Sequence, residues 1–188
     1  MLILSLILIA ALVAEDQLIK LWVVRSFAVS KGAIRSYFTF KIGDFPIFSI
    51  THIRNNGAGW SILGGQTVFL VVFTSLILIA IIAYMVIRRK TIGRFELLSL
   101  SLIAAGGLGN LIDRFRMIIE GTDVFAGVID YIKLDFIDFP VFNFADCCVT
   151  VGAFLFCIVV IAGELNGSNI KKTAKPADNA AAPGNGEI

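Results

Sequence analysis

One stretch of this chain is an unbroken run of apolar residues. Thr67 to Ile87 holds 21 consecutive residues without a charge, and about 20 such residues are enough to cross the hydrocarbon core of a bilayer as a helix. Only 16% of the 188 residues are charged and 57% are hydrophobic, whereas about a quarter of a soluble chain is charged. The run therefore predicts a membrane-spanning helix, and the composition predicts that it is one of several.

Three further segments have the composition of membrane spans: Leu2–Val24, about Phe95–Ile112 and about Ala145–Ala162. The alternative for the first is a cleavable signal peptide, because the small residues of Ala11–Ala14 resemble a cleavage site. We favour a retained span, since no lysine or arginine precedes the run and its helical pattern continues through Trp22. The sequence thus predicts a mainly α polytopic membrane protein with four transmembrane helices.

Basic residues indicate how these spans are oriented. The short loop after the second run contains Arg88, Arg89, Lys90 and Arg94, and such clusters mark the cytoplasmic side of a membrane. The segment after the fourth run adds Lys171, Lys172 and Lys175. We therefore expect both termini in the cytoplasm, a membrane domain over residues 1–165, and a disordered cytoplasmic tail over residues 166–188, where the composition is of low complexity.

Residues 27–62 differ from the spans that flank them. They contain the aromatic and β-branched stretches SYFTF and FPIFSITHI, with a turn predicted at Gly43-Asp44. We expect a small extracytoplasmic β platform between spans one and two. It ends in RNNGAGWS (Arg54–Ser61), predicted to be an irregular loop that either brings Asn55 close to a ligand or serves as a plain turn.

The residue inventory argues against several classes of function. A formal charge of +2 without a basic, aromatic patch gives no indication of nucleic-acid binding. The single histidine, His52, excludes a histidine-rich metal site, and Cys147, Cys148 and Cys157 form no C-x-x-C pair, so we interpret them as packing residues. Serine-hydrolase and zinc-protease motifs are missing as well. We expect neither a metal nor a cofactor.

Polar residues within apolar segments are the candidates for chemistry, because burying them without partners is costly. In the third span Gly106, Asn110 and Asp113 lie on one helical stripe, with Arg114 placed to form an ion pair with Asp113 or to contact a head group. A structural polar cluster is the alternative for these residues. Asp16 and Lys20 have i, i+4 spacing, which predicts an intrahelical ion pair near the membrane surface.

Two aspartates further along the chain favour hydrolysis. Asn143 and Asp146 have the spacing of a helix N-cap with a capping box, and Asp130 is a lone carboxylate in an apolar, aromatic segment. Two carboxylates held close in a low dielectric share one proton, so one can activate water while the other polarises a carbonyl. The same loop offers three competing partners, which are Asp123, Asp135 and Asp138.

Five motifs together resemble the lipoprotein signal peptidase (signal peptidase II) family over about Asp16–Gly163. They are Asp16-x-x-x-Lys20, RNNGA from Arg54, GNLIDR from Gly109, GVID ending at Asp130, and FNFAD ending at Asp146. The family cleaves signal peptides from diacylglyceryl-modified prolipoproteins immediately before the lipidated cysteine. The resemblance implies an aspartyl endopeptidase of the bacterial inner membrane that works without a cofactor, with its active site at the outer face. It implies lipids and a lipid-modified prolipoprotein as partners, and we expect a monomer.

The resemblance also assigns roles by position. It implies that Asp130 and Asp146 are the catalytic dyad. Substrate-binding or orienting roles are implied for Asn55, Asn110, Arg114 and Asn143, and supporting roles for Asp16, Lys20 and Asp113. Cys147 departs from the small residue, often serine, that is usual there, and the loop between Arg114 and Asp130 is longer than usual.

Two other classes of function explain part of the sequence. A small transporter or proton conductor would also carry carboxylates in membrane segments, but it would place them near the midplane and often shows internal repeats, of which none is evident. A membrane scaffold would explain the spans but not the two separate aspartates.

Overall fold

The computed structural model describes residues 1–30, 32–57, 65–120 and 127–173. Within this part of the chain, four helices are long and apolar enough to cross a membrane: α1 (Leu2–Ser26), α2 (Thr67–Ile87), α3 (Arg94–Glu120) and α4 (Phe144–Thr173). The predicted mainly α, four-span architecture is confirmed.

Helix α3 is the central helix, and α1, α2 and α4 all pack against it. The apolar residues buried on it are leucine and alanine, including Leu100, Ala104 and Ala105, which pack with Leu78 and Met85 of α2. Outward-facing leucine, isoleucine and phenylalanine side chains cover the other helices. Such an exterior is expected where lipid, rather than water, surrounds the bundle.

Two helices are longer than the sequence predicts. The third span was expected to end at Ile112, with its polar motif at the end, but α3 continues to Glu120 and the motif lies inside the helix. The helix can continue because the polar side chains of this motif find partners on neighbouring elements. Helix α4 continues to Thr173, past the predicted start of the disordered tail, and the prediction for residues 174–188 lies outside the described residues.

A three-stranded antiparallel sheet forms the platform. Strands β1 (Phe38–Ile42) and β2 (Phe45–Asn55) form the expected hairpin, and its turn contains Gly43 with a φ of 61°. The third strand, β3 (Val128–Leu134), pairs with β2 and comes from the segment between α3 and α4, which was expected to be only a loop. The sheet therefore joins two parts of the chain that are far apart in sequence.

Asn55 was expected in an irregular loop, and that expectation is wrong. Arg54 and Asn55 are the last two residues of β2, paired with Ile129 and Val128 of β3. This pairing extends the sheet to the edge of the helical bundle. Residues 58–62, the remainder of the predicted platform, lie outside the described residues.

Candidate active site

The chain brings Asp130 next to the start of α4 by folding back on itself. After β3 it turns and returns so that Phe142 pairs with Ile132, with Ile132 N donating to Phe142 O over 2.8 Å and Phe142 N donating to Ile132 O over 3.0 Å. Helix α4 begins two residues later, at Phe144. The return fixes Asn143 beside Asp130, although the two residues are 13 apart in sequence.

Asp130 is buried, with 2% of its surface exposed. Asn143 Nδ2 donates to its Oδ1 over 2.7 Å, and Asn55 Nδ2 donates to its Oδ2 over 3.0 Å. Burial raises the pKa of this carboxyl to about 7, and the nearby negative charge of Asp146 adds to the rise, while the two amide hydrogen bonds oppose it. The expected irregular loop around Asn55 is thus replaced by a strand end that holds the amide against the carboxylate.

Asp146 is held by the predicted capping box at the start of α4. Its backbone N–H donates to Asn143 Oδ1 over 3.0 Å, and Asn143 N donates back to Asp146 Oδ2 over 3.0 Å. Two other N–H groups of this first turn also reach side chains, since Phe144 N donates to Tyr131 Oη and Ala145 N donates to Asp16 Oδ1. Helix starts leave such donors unpaired unless side chains accept them, so these partners fix the position of Asp146.

Two asparagine amides connect the two aspartates. Asn143 Nδ2 lies 3.0 Å from Asn110 Oδ1, and Asn110 Nδ2 donates to Asp146 Oδ1 over 2.8 Å. Lys20 Nζ donates to the same Asn110 oxygen over 3.0 Å. Because an ammonium group can only donate, Lys20 determines which end of the Asn110 amide faces Asp146.

A buried cluster of charged side chains contacts the Asn110 amide through Lys20. Lys20 Nζ lies 2.8 Å from both Asp16 Oδ2 and Asp113 Oδ2, and all three side chains are almost fully buried. The predicted Asp16–Lys20 pair is therefore confirmed, and it is buried inside the protein. Asp113 also accepts from Ile129 N of β3, so the cluster ties α1, α3 and the sheet together.

Arg114 does not use Asp113 as its partner, although the sequence suggested that pair. Adjacent helical side chains point in different directions, and Asp113 is taken by Lys20. Arg114 instead donates to Gly57 O over 3.1 Å and makes a longer contact of 3.4 Å with Asn110 O. Its guanidinium thereby links the end of the platform to α3 beside the aspartates.

Both aspartates line one cavity of about 450 Å³, which we call the aspartate cavity. Its polar wall consists of Asn55, Asn110, Arg114, Asp130 and Asp146. The remaining wall is largely apolar and comes from β3, the start of α4 and the return segment, including Val128, Leu134, Phe139, Val141, Phe142 and Val151. Such a space can hold a largely apolar ligand whose polar atoms face the two carboxylates.

The competing aspartates lie elsewhere or outside the described residues. Asp135 accepts a hydrogen bond from Ser49 Oγ and forms an ion pair with Lys133, whose Nζ is 2.7 Å from Asp135 Oδ1. The hydrogen bond from Lys133 keeps the pKa of Asp135 below its usual value. Asp138 is exposed. Asp123 lies outside the described residues, and among the three it alone stays untested as a partner for Asp146.

Some residues of the site were not identified from the sequence. Tyr131 is buried beside Val23 of α1, and its hydroxyl caps α4. Gln17 Nε2 donates to Gly109 O over 3.1 Å and to Asp113 Oδ1 over 3.3 Å. Gln17 could have been identified from the sequence, because it is a polar residue next to Asp16 within an apolar run. Tyr131 gave no comparable signal, because tyrosine is common in strands.

Metal ligation is not supported by the arrangement of side chains. Among the described residues, no group of three or more histidine, cysteine, aspartate or glutamate side chains is placed to hold a metal ion. Cys147, Cys148 and Cys157 are free thiols on α4. Cys147 lines the aspartate cavity next to Asp146.

Comparison with known proteins gives a consistent result. The family model described as Signal peptidase (SPase) II matches residues 8–162. The chain is 40% identical over 167 residues to a lipoprotein signal peptidase of Lactiplantibacillus plantarum, covering 89% of this chain and 97% of the relative. It is 38% identical over 162 residues to one of Streptococcus thermophilus, covering 86% and 94% of the two chains.

Two solved structures, both described as bacterial membrane enzymes, share this fold. The first superposes with a TM-score of 0.66 at 28% identity, covering 95% of this chain and 94% of that one. The second has a TM-score of 0.64 at 32% identity, covering 83% and 91%. This chain, with its four spans and small sheet, therefore has the fold of known bacterial membrane enzymes.

Proposed function

Because the chain belongs to the signal peptidase II family, it is an aspartic endopeptidase that cleaves the signal peptides of prolipoproteins, and we propose that Asp130 and Asp146 are its catalytic pair. The observation that carries this proposal is that both carboxylates line one cavity and are joined through the Asn143 and Asn110 amides. The transporter and scaffold alternatives gain no support from the relatives, which are named as peptidases.

The two carboxylates have different surroundings, which suggests different roles. Asp130 is the more deeply buried, and its pKa of about 7 keeps it partly protonated near neutral pH. We assign it the proton that polarises the scissile carbonyl, and we assign Asp146 the role of general base. Asp146 takes a proton from water as the water oxygen attacks the carbonyl carbon, and Asp146 then gives that proton to the leaving amine as the C–N bond breaks.

The neighbouring residues keep this pair in position. Asn143 and Asn55 donate to Asp130, while Asn110 donates to Asp146. Asp16, Lys20 and Asp113 support them by fixing the start of α4, the Asn110 amide and β3. Arg114 lines the aspartate cavity together with both carboxylates, and there it is placed to contact the substrate main chain. Such prior positioning lowers the barrier because little reorganisation accompanies the reaction.

The substrate that fits this site is a membrane-inserted prolipoprotein whose cysteine carries a diacylglyceryl group, cut immediately before that cysteine. The apolar wall of the aspartate cavity and the surrounding spans support a lipid-linked substrate. The basic loop after α2 supports an orientation with both termini in the cytoplasm and the aspartates at the outer face. We propose that the enzyme works as a monomer.

Cleavage assays on purified variants test the catalytic pair. Asparagine keeps the shape of aspartate but cannot share a proton, so we expect Asp130→Asn and Asp146→Asn each to lower kcat by about 1000-fold while the protein stays folded. Asp135→Asn and Asp138→Asn, in the segment between β3 and α4, are matched controls and should keep activity close to that of the wild type. If Asp130→Asn kept its activity, another carboxylate would have to be the catalytic partner of Asp146, and Asp123 would be tested next.

A further inference from the structure

A second recess meets the aspartate cavity from the side of the bilayer. It has a volume of about 310 Å³ and lies between α2 and α4, over the surface of α3. We call it the α2–α4 groove; its apolar wall includes Ile77, Leu78, Ile103, Gly107 and Val149. One end is formed by Asn110, Arg114 and Asp146, which also line the aspartate cavity. The groove therefore leads from the lipid-facing part of the bundle to the reacting groups.

The groove lies where α2 and α4 both pack on α3 without packing extensively on each other. Gly107 lies under it, and a Cβ on this residue would come within 2.9 Å of Leu78 Cδ2. Glycine thus lets α2 approach α3 closely while leaving no side chain in the recess. Ile77 borders the groove and is 42% exposed, so this wall is open to lipid.

The dimensions of the groove discriminate between the two apolar parts of the substrate. From Ile103 to Arg114 the floor is about 16 Å long at the helical rise of about 1.5 Å per residue. A stretch of helix of that length, about 10–12 Å wide with its side chains, occupies roughly 1300–1800 Å³, which is several times the groove volume of about 310 Å³. The signal-peptide helix therefore does not fit within the groove, whereas a single hydrocarbon chain does.

We propose that the α2–α4 groove binds one acyl chain of the diacylglyceryl group, an inference that rests on the proposed function. The lipidated cysteine directly follows the scissile bond, so its lipid must leave the site within a few bonds of Asp146. The groove begins at Asp146 and follows the helix axis into the membrane, which is the direction in which an acyl chain extends. Two threonines also line the groove, Thr74 on the α2 side and Thr150 on the α4 side.

Blocking the groove tests this proposal. Ile77→Trp places a large side chain at its open wall, and Ile79→Trp is the matched control, because Ile79 is 65% exposed and does not line the groove. Each protein is given prolipoprotein carrying either dipalmitoylglyceryl or dibutyrylglyceryl. Acyl chains gain little by moving from lipid to an equally apolar groove, so the expected effect is steric: Ile77→Trp lowers kcat/KM for the long-chain substrate at least about tenfold and for the short-chain substrate less than twofold.

The other outcomes overturn the proposal. Wild-type rates for both substrates in Ile77→Trp would show that the groove is not used, and equal losses for both would assign it to the signal helix or to structure alone. Failure of the wild-type enzyme to cut either substrate would instead overturn the proposed function. Independently of this variant, a photoreactive group at the end of the acyl chain should crosslink to α2 and α3 in Asp146→Asn, and crosslinks confined to lipid would contradict the inference.

Discussion

Asp130 combines features that rarely occur together in a carboxylate. It is buried to 2% exposure and lies near a second carboxylate, yet among the described residues its hydrogen-bond donors are the neutral amides of Asn55 and Asn143. Lys20, the nearest cation on α1, is itself paired with Asp16 and Asp113 and only partly offsets the effect of burial. The pKa of about 7 follows from this imbalance, and it places the proton of the pair within reach of physiological pH.

Activity should therefore fall as the pH rises through about 7. Above that value the proton is lost from the pair, and kcat/KM should decrease about tenfold per pH unit, with an apparent pKa that belongs to the pair. The measurement is a pH profile of cleavage from pH 5 to 9, with folding checked at each pH by thermal unfolding. A flat profile up to pH 9 would contradict the assigned role of Asp130.

The same shift has a consequence for stability. The folded pKa of Asp130 lies above its ordinary value of 3.8, so the stability that Asp130 contributes is fully present below about pH 4 and is lost as the pH rises through about 7. The free energy of unfolding should fall with pH in this window by up to about 1.4 kcal/mol per unit. Asp130→Asn, which does not titrate, should remove this part of the slope.

Among the elements, α3 and α4 make the closest contact. An added Cβ at Gly106 would overlap Ala145 O and lie 2.7 Å from Val149 Cγ2, and one at Gly152 would lie 2.8 Å from Ser99 O. Small residues permit such approach between membrane helices. The approach has a functional consequence, because Asn110 on α3 must reach Asp146 on α4.

Gly106→Ala should therefore push α3 and α4 apart. We expect a loss of about 1–3 kcal/mol in stability, as for overpacked cores, together with at least about tenfold lower kcat, because the Asn110–Asp146 hydrogen bond lengthens. Thermal unfolding and cleavage assays measure the two effects. Gly163→Ala is the matched control, since nothing lies within 4 Å of a Cβ there. Equal behaviour of the two variants would contradict the role assigned to this contact.

For the molecule as a whole, orientation in the membrane decides where cleavage takes place. The basic loop after α2 and the β platform lie at opposite ends of α2, so they should face opposite sides of the bilayer. In intact spheroplasts, an impermeant thiol reagent should label Lys41→Cys on the platform and should not label Arg89→Cys until the membrane is opened. The unsubstituted chain gives the background from its native cysteines. The reverse pattern would invert the proposed topology.

The sequence by itself determined the features that depend on local composition and spacing. Apolar runs predict spans because each span must be about 20 residues long and must satisfy its own backbone. Asn143 and Asp146 predict a capping box because its partners are three residues apart, and Asp16 and Lys20 predict an ion pair because they share a helix face. The family resemblance added the roles, including the choice of Asp130.

Only the tertiary structure decided what depends on contacts between distant segments. Strand β3 forms because β2, about 75 residues earlier, offers an edge to pair with, and pairing energy cannot be read from one strand alone. The same holds for Lys20, which reaches Asn110 and Asp113 across 90 or more residues. The proximity of Asp130 to Asp146, the raised pKa of Asp130 and the α2–α4 groove all follow from contacts between distant segments.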